Sequence, residues 1–330
     1  MARFALRRVG SLVAVLVALS ILVFVIQRMS GSDPVRAYLG TNASSAAVAH
    51  ERIVLGLNLP LWQQYLAYVG NALHGDLGMS LSTRRLVTTE LAARVPATLE
   101  LALWAVGFAV VIAVLLAGVY AVKGWIGGVV RFVFFSAASA PSFLVATAGL
   151  LIFFAQLHLL PAQGRSSFPP LGPTGLDVLD GLIHGQPAYS WDAIQHLLLP
   201  ALAAGIGPGV ALARVLADGL TSGMRTGYAR TARSLGEGET AILFRHSLRN
   251  AASPALSLLG VQMGMMLSSL VVVEQIFAWN GLGQYLTTAI SAGDLGSVAA
   301  ISLLLGGSYV VINAIVDVLL ALVDPRVRAV

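Results

Sequence analysis

The sequence of 330 residues contains no cysteine and a single lysine, Lys123. Without cysteine there can be no disulfide bond, no thiolate catalysis and no Cys-ligated zinc or iron–sulfur site. Charge of either sign is also scarce, because charged residues make up 11% of the chain and hydrophobic residues 57%. Roughly 25% charged residues is usual in a soluble domain. So little charge cannot cover a soluble surface without large apolar patches, and this excludes an ordinary soluble protein.

Motifs for nucleotide and metal chemistry are missing as well. A P-loop needs a lysine after its second glycine, and Lys123 lies instead in Tyr-Ala-Val-Lys-Gly. The six histidines form no ligand-spaced pair such as His-Glu-x-x-His. We therefore expect no catalytic residue, no metal site and no cofactor in this chain, so that any ATP-driven work must reach it through a partner.

Long apolar runs take the place of charge. A bilayer needs roughly 20 apolar residues for each helix that crosses it. Six runs satisfy this, and they cover residues 9–27, 101–122, 132–164, 193–213, 251–273 and 295–316. The first run follows Arg3, Arg7 and Arg8 and is longer than the core of a secretory signal, so we interpret it as a retained span. The pattern predicts an all-α polytopic membrane protein with six transmembrane helices.

Prolines and glycines divide some of these runs. Pro141 in the third run predicts an ordinary kink, and the span itself should end near His158. The fourth run contains Pro200 and Pro208 with three glycines between residues 205 and 209. This composition predicts a broken helix, which a bilayer tolerates only where protein or a water-filled cavity satisfies the freed backbone groups. We expect the fourth span to line the interior of the bundle.

The basic residues predict the orientation. With the N-terminus inside, thirteen Lys and Arg residues fall on the inner side and seven on the outer side. An excess of Lys and Arg in the loops marks the cytoplasmic side, so both termini are expected in the cytoplasm of a multi-pass protein. The net charge of +5 is then a topology signal, and we expect membrane lipid and no nucleic acid as a partner.

Three parts follow from this topology: a first helix at 1–30, an extracytoplasmic segment at 31–95, and a five-helix core at 96–330 with a cytoplasmic loop at 218–252. Within the outer segment, Trp62, Tyr65, Leu66 and Val69 recur at helical spacing. Such an apolar face is typical of an interfacial helix. It also suits part of a dock or lid, and the sequence leaves both possibilities open.

The Arg-rich loop, residues 228–254, is the most structured polar stretch. Residues 226–235 predict a short helix with Ala229 and Ala232 three apart, and Gly236 offers the positive φ of a helix end. A second helix should begin with Glu237 and Glu239, where acids suit the helix dipole, and carry Arg245 and Arg249 near its end. Pro254 then marks the entry to the next span. The loop is either a positive-inside connection or a docking element whose alanines allow another chain to approach closely.

This loop resembles the EAA loop of ABC importer permeases, with Gly236 and Pro254 at the places of that motif's glycine and closing proline. Its variant is similar to that of the dipeptide/oligopeptide branch in the following residues: Tyr228, Arg230, Thr231, Ala232, Arg233, Gly236, Arg245, His246, Leu248, Arg249, Asn250 and Ala251. Further resemblances occur in order at residues 31–34, 55–60, 75–80, 94–100, 196–200, 277–283 and 324–326. Asn280 departs from the family, which usually has a proline there.

The resemblance implies the type I permease bundle and the first of two homologous permease chains in a prokaryotic cytoplasmic (inner) membrane. It implies a second permease, two cytoplasmic ATPase subunits that bind ATP and Mg, and an extracytoplasmic peptide-binding protein. The function expected is import of dipeptides or short oligopeptides by alternating access. ATPase coupling is assigned to Tyr228, Arg230, Thr231, Ala232, Arg233, Gly236, Glu237, Arg245, His246, Arg249 and Asn250.

Residues of the translocation path or gate are harder to predict. Ionisable residues in spans are expensive in lipid, so Glu274 and Asp317 are candidates, Glu274 for a peptide's amino terminus or an outer gate. Each also suits a structural contact between helices. Pro200 belongs to the unusual fourth span, while Met263 and Met266 suit either a pliable pore lining or apolar packing. Glu100 is expected to meet water at the outer interface.

Three alternatives remain at this point. The same architecture could import nickel or another small solute, since solute choice in this family rests largely with the binding protein. A secondary transporter would instead use Glu274 and Asp317 as ion-coupling groups and would need no ATPase. An intramembrane enzyme would need a facing pair such as Ser/His or Asp/Asp, and the spans display none.

Overall fold

A computed structural model describes residues 2–29, 35, 44–54, 56–121 and 125–323, and these are almost entirely helical. The helices in chain order are α1 (Ala2–Met29), α2 (Ser45–Val54), α3 (Leu61–Leu73), α4 (Val87–Ala121), α5 (Trp125–Ser139), α6 (Ser142–Gly149), α7 (Asp177–Ile183), α8 (Pro187–Met224), α9 (Gly227–Ser234), α10 (Glu239–Ile242), α11 (Leu248–Ile276), α12 (Leu282–Ser291) and α13 (Leu295–Val323). Two π-helical segments, Leu150–Gln156 and Leu243–Ser247, follow α6 and α10. Lys123 and the motif residues 31–34, 55 and 324–326 lie outside the described residues.

Four described stretches are long and apolar enough to cross a membrane: Val87–Val119, Pro187–Met224, Glu239–Ile276 and Leu295–Leu322. The bent pair Gly127–Ser139 and Ser142–Gln156 supplies a fifth crossing if its halves form one span. A shorter apolar stretch, Val13–Met29, belongs to α1. These helices confirm the all-α, membrane-spanning class, while the number six stays a prediction.

Helix α4 begins at Val87, so it runs without interruption through residues 95 and 96, where the sequence suggested a segment boundary. Its buried side chains recur every three or four residues, from Leu101 through Ala105 and Ala109 to Leu116. The opposite side exposes large apolar residues, including Val111 and Val114. One stripe of α4 therefore faces the bundle and the other suits lipid.

The break in the helical pattern lies at a different proline from the one expected. Helix α8 is continuous through Pro200 and Pro208, and it is the most buried of the four long stretches. The predicted interior position of this span agrees with the structure, but the predicted break does not. Pro141, expected to make only a kink, instead separates α5 from α6 with a bend of 115°. Packing on several sides keeps α8 helical despite its prolines, because neighbouring helices support the freed backbone groups.

Small residues bring α8 against α4. A Cβ built on Gly205 would lie 2.5 Å from the carbonyl oxygen of Ala105, and one on Gly209 would lie 2.9 Å from that of Ala109. The four positions form a small-xxx-small pair on each helix, which lets two backbones approach closely in a membrane. Helices α5, α6, α7 and α11 also contact α8, so α8 is the centre of the bundle.

The N-terminal helix is attached along the far side of α13. The Gln27 side chain donates a hydrogen bond to the carbonyl oxygen of Leu295 at 2.9 Å. Helix α3 packs on α1 through Tyr65, whose hydroxyl lies 2.8 Å from Ser20 Oγ and whose ring meets Phe24 edge-on at 5.5 Å. Trp62 on α3 remains exposed. The predicted apolar face of α3 is thus divided, with Tyr65 facing α1 and Trp62 facing outward.

At one end of the bundle, here called the Glu274 end, α4, α8 and α13 begin and α11 finishes. Glu100 is buried there, contrary to the expectation that it meets water. Its carboxylate accepts hydrogen bonds from Arg165 Nη2 at 2.8 Å and from the backbone amide of Val178 at 2.9 Å. Arg165 also lies 3.2 Å from Asp177 at the start of α7. These ion pairs hold the connection between α6 and α7 against α4.

Asp294 is a second junction at the Glu274 end. Its carboxylate caps α13 by accepting the Ser297 amide at 3.1 Å and the Ser297 hydroxyl at 2.7 Å. It also accepts the Ser80 hydroxyl at 2.6 Å, and the amide and hydroxyl of Ser82 at 3.2 Å each. Burial alone would raise the pKa of Asp294, but these hydrogen bonds outweigh burial and lower it below its ordinary value. The Asp294 carboxylate therefore connects the segment that contains Ser80 and Ser82 to the start of α13.

The close contact between α4 and α8 predicts a stability effect. Gly205→Leu places a side chain where the backbone of Ala105 lies, so we expect a loss of about 1–3 kcal/mol or more of stability. The thermal midpoint of the detergent-purified protein measures the loss. Gly107→Leu on α4 is the matched control, because nothing lies within 4 Å of a Cβ there. Equal midpoints for the two variants would contradict the packing described.

Asp294 predicts a pH dependence. A carboxyl whose pKa is lowered on folding stabilises the folded state at pH values above its pKa in the unfolded state, which is about 3.9. This stabilisation is lost as the pH falls through the pKa of the folded state. We expect Asp294→Asn to lower stability by about 1–3 kcal/mol near neutral pH, with the difference from the unmodified protein shrinking below about pH 4. Thermal midpoints measured across this range test it. Asp76→Asn serves as control, because exposed Asp76 accepts, among the described residues, only the Gly78 amide at 3.0 Å; a pH-independent difference would refute the assignment.

Candidate functional site

The Arg-rich loop folds into a compact turn between α8 and α11. Helix α9 ends at Ser234, and Gly236 follows with a φ of +86°, the left-handed conformation predicted for a glycine helix end. A Cβ on Gly236 would meet nothing within 4 Å, so the turn is open on its outer side. The chain then enters α10 at Glu239. Leu235 and Gly236 form the tip of the loop, and the Leu235 side chain is 78% exposed.

The two alanines of α9 face inward. Ala229 and Ala232 are buried in a small apolar cluster with Ile242, against Met224 at the end of α8. The sequence suggested that these side chains leave room for another chain, but in this structure they leave room for Ile242 of the same loop. The exposed side of α9 carries Arg230 and Thr231 instead. Ala232 thus shapes the loop from inside.

Polar contacts hold the two sides of the turn together. Arg233 binds Glu239 through Nη2 at 3.0 Å as well as through Nε, and it donates to the carbonyl oxygen of Met224 at 3.1 Å. His246 Nε2 lies 3.1 Å from Glu237 Oε2. At the base, the Asn250 amide donates to the Tyr228 hydroxyl at 3.1 Å. The loop is therefore a preformed element with a fixed shape.

The remaining arginines point outward. Arg230, Arg245 and Arg249 are exposed, and within the part of the chain that the structure describes none of them forms an ion pair. Together with exposed Leu235 they give the loop a basic surface with an apolar tip. This surface suits a partner that offers carboxylates around an apolar pocket.

The second half of the loop is the end of a long helix. The sequence predicts a separate second helix, with Pro254 marking the entry to the next span. In the structure the helical backbone instead continues from Glu239 through the π-helical turn and Pro254 to Ile276. At 1.5 Å per residue these 38 residues extend about 57 Å, more than the thickness of a bilayer core. Arg245, His246 and Arg249 thus lie on the same rod as the membrane-spanning part of α11. The loop and the membrane-spanning part of α11 therefore share one continuous helix.

Glu274 lies at the opposite end of this rod and is completely buried. Its carboxylate accepts hydrogen bonds from the Thr98 hydroxyl at 2.6 Å and from the Gly283 amide at 2.7 Å. A Cβ on Gly281 would lie 2.5 Å from the same carboxylate, so the connection to α12 wraps closely around it. In this chain Glu274 joins α11 to α4 and to the first turn of α12, the structural contact that the sequence left open beside the gate.

A cavity of about 370 Å³ opens between the α5–α6 break, the middle of α8 and the middle of α11. Its walls include Ser142, Gly207, Pro208, Gln262, Met266 and Ser269. Of the predicted path residues, Met266 lies in this wall. Pro200 is buried within α8 farther toward the Glu274 end, and Met263 is half-buried on α11 outside the wall. Asp317 is half-buried near the far end of α13.

Sequence reasoning missed most of this cavity. Two of its polar residues, Gln262 and Ser269, lie in a mostly apolar run, and no local motif distinguishes them from polar residues that bridge helices. The useful signal was the Gly207-Pro208 pair, which the sequence did place in the interior. Pro141 is the other signal of the cavity, although the sequence alone predicts only an ordinary kink there.

Known proteins resemble the chain over nearly its whole length. The family described as binding-protein-dependent transport system inner membrane component matches residues 109–329. The N-terminal membrane component of the same kind of system matches residues 1–102. The two matches together include α8, the Arg-rich loop, α11 and all of α4 except residues 103–108.

Individual relatives agree with this result. The dipeptide transport system permease protein of Alkalihalophilus pseudofirmus is 35% identical over 99% of this chain and 100% of its own. A probable D,D-dipeptide transport system permease protein of Escherichia coli K12 is 35% identical over 97% and 96%. The di/tripeptide transport system permease protein of Pseudomonas aeruginosa is 36% identical over 99% of both chains. The chain belongs to the family of binding-protein-dependent transport system inner membrane components, the multi-pass permeases of these systems.

Proposed function

We propose that this chain is one of two homologous permease subunits in an ATP-driven importer of dipeptides or short oligopeptides. Family membership and the names of the three relatives support the transport role and the peptide class. The observation that carries the coupling is the Arg-rich loop, a preformed basic turn built on the same helix as the cavity wall. The nickel alternative is not favoured, because all three relatives are peptide permeases.

The proposed partners follow from the same architecture. Two cytoplasmic ATPase subunits bind ATP and Mg and contact the Arg-rich loop, a second permease completes the translocation pathway, and an extracytoplasmic binding protein delivers the peptide. The excess of Lys and Arg on the loop side supports placing that side and both termini in the cytoplasm. The Glu274 end is then the outer end. In this proposal the chain catalyses no reaction, and its helices move to form part of the path that the peptide takes through the membrane.

The continuous helix from Glu239 to Ile276 supports a mechanism of alternating access. Closure of the ATPase subunits displaces the turn at Gly236, and the helix from Glu239 to Ile276 passes this displacement to the cavity wall. Glu274 ties the far end of the rod to α4 and α12, so the cavity reopens on the other side when the rod tilts. The cycle of ATP binding and hydrolysis thereby alternates the cavity between an outward and an inward opening.

An ion-coupled transporter is the weaker candidate. Its two candidate coupling carboxylates lie toward opposite ends of the bundle, Glu274 at the end of α11 and Asp317 near the end of α13. Glu274 is moreover fully engaged by Thr98 and the α12 amides. Peptide uptake by the reconstituted complex should require ATP, and uptake by this chain alone under a proton or sodium gradient would overturn the proposed function.

Bulk at the loop tip tests the coupling. Gly236→Trp should lower peptide uptake and receptor-stimulated ATP hydrolysis by at least about tenfold, because a large side chain at the tip blocks a tightly packed interface. Gly236→Ala is the matched control, since it imposes the same left-handed strain, about 1 kcal/mol, with little bulk. Both variants should insert into the membrane normally. Uptake unchanged by Gly236→Trp in an assembled complex would contradict the assignment.

The exposed tip allows a second test that leaves the backbone alone. Leu235→Asp removes the apolar contact, and we expect it to weaken co-purification of the ATPase subunits by about tenfold. Leu73→Asp, a comparable exposed leucine at the end of α3, provides the control. Equal recovery of the ATPase subunits with both variants would show that the tip is not the contact.

A further inference from the structure

The 370 Å³ cavity lies about halfway along the long apolar helices that form its walls. Gly207 and Pro208 are close to the middle of α8, and Gln262 is at the middle of α11. The α5–α6 break at Pro141 closes the third side. Of these three elements only the α5–α6 pair is broken, and a helix broken near half depth is a usual part of a solute site in membrane transporters.

The walls of this cavity carry hydrogen-bonding groups but no charge. Among the described residues that line it, none is ionisable, and the polar side chains are Ser142, Gln262 and Ser269. Ser269 donates to the carbonyl oxygen of Met266 at 2.9 Å and keeps its acceptor capacity. Gln262 and Ser142 bind no other side chain or backbone group in the described part of the chain, so a Gln amide and a Ser hydroxyl are open to whatever occupies the space.

The backbone adds further neutral partners. Proline has no amide hydrogen, so Pro208 leaves the carbonyl group of Ala204 without its usual helical donor, and Ala204 lines the cavity. The break at Pro141 brings the last carbonyl groups of α5 and the first amides of α6 to the same wall, which includes Ala138, Ala140 and Ser142. Such groups are stable in a bilayer only beside protein, water or a polar ligand.

We infer that this cavity binds the amide backbone of the passing peptide through neutral hydrogen bonds and discriminates neither for nor against charge in its side chains. The inference rests on the proposed function and adds the chemistry by which this chain contacts its solute. Gln262 can donate and accept at once, which is what a peptide unit requires. A wall without fixed charge repels neither an acidic nor a basic side chain.

The geometry favours a solute over a permanently packed helix of the second permease. A Cβ on Gly207 would meet nothing within 4 Å, whereas Gly205 and Gly209 on the other face of α8 are closed by α4. The volume falls in the range of small-molecule sites, roughly 300–1,000 Å³. An apolar interface helix would leave Gln262 and Ser142 unpaired in lipid, at a cost of about 1–3 kcal/mol for each buried polar group.

Accessibility provides the first test, and the absence of cysteine makes it direct. Gln262→Cys and Ser269→Cys, each in the complete complex in proteoliposomes, should react with a charged, water-soluble thiol reagent, and a transported dipeptide should slow the reaction. Val111→Cys on the lipid-facing side of α4 should not react. If neither Gln262→Cys nor Ser269→Cys reacts with ATP absent or bound, the second permease fills the cavity and the inference is wrong.

Charge selectivity provides the second test. Gln262→Glu places a carboxylate in the wall, so uptake of a dipeptide with an acidic side chain should fall about tenfold relative to one with a basic side chain. Gln262→Leu should instead lower the uptake of both dipeptides alike, since it removes the same hydrogen bonds from each. Gln275→Glu, on α11 outside the cavity, should leave the ratio unchanged. A ratio that Gln262→Glu does not alter would overturn the inference.

The two levels of the proposal fail in different ways. If the unmodified complex imports no peptide, the proposed function is wrong, whatever the thiol reactions show. If the unmodified complex imports peptides with ATP but Gln262 variants neither react nor change the charge ratio, the importer stands and the cavity assignment alone falls.

Discussion

The close approach of α8 to α4 is the contact on which the rest of the bundle depends. It places the backbone of Gly205 against Ala105 and that of Gly209 against Ala109. In a bilayer, lipid tails are as apolar as leucine side chains, so helices gain from dense packing and not from escape from water. Because one face of α8 is committed to α4, the opposite face, with Gly207 and Pro208, is left to form the cavity wall. The same helix is therefore both the centre of the fold and one wall of the cavity.

Two continuous helices join that centre to the Arg-rich loop. Helix α8 ends where the loop begins, and the rod from Glu239 to Ile276 starts within it. The ion pair between Arg233 and Glu239 and the buried alanines hold the loop in one shape. The cavity lies between α8 and α11, the two helices that the loop connects. Under the proposed function, a displacement of the loop would change the angle between two walls of the same cavity, as alternating access requires.

Much of this was predictable from local chemistry. The apolar runs predicted the long helices, and Gly236 predicted its own left-handed turn because few other residues adopt that conformation. What local pattern could not predict was the outcome of packing. Pro200 and Pro208 remain helical because neighbours surround α8, whereas Pro141 has fewer such supports and the chain turns by 115°. The direction of Ala229 and Ala232 and the burial of Glu100 depend likewise on partners distant in sequence, namely Ile242 and Arg165.

The anchoring of Glu274 has a consequence that reaches across the membrane. Its carboxylate fixes one end of a continuous helix whose other end lies in the Arg-rich loop. If the ATPase subunits bind that loop as proposed, the two surfaces share one coupling free energy. Such coupling is reciprocal: if nucleotide binding on one surface changes the affinity of a partner on the other, that partner changes nucleotide affinity by the same factor. A loaded binding protein resting on the Glu274 end would in this way report to the ATPases that cargo has arrived, and no separate sensor would be needed.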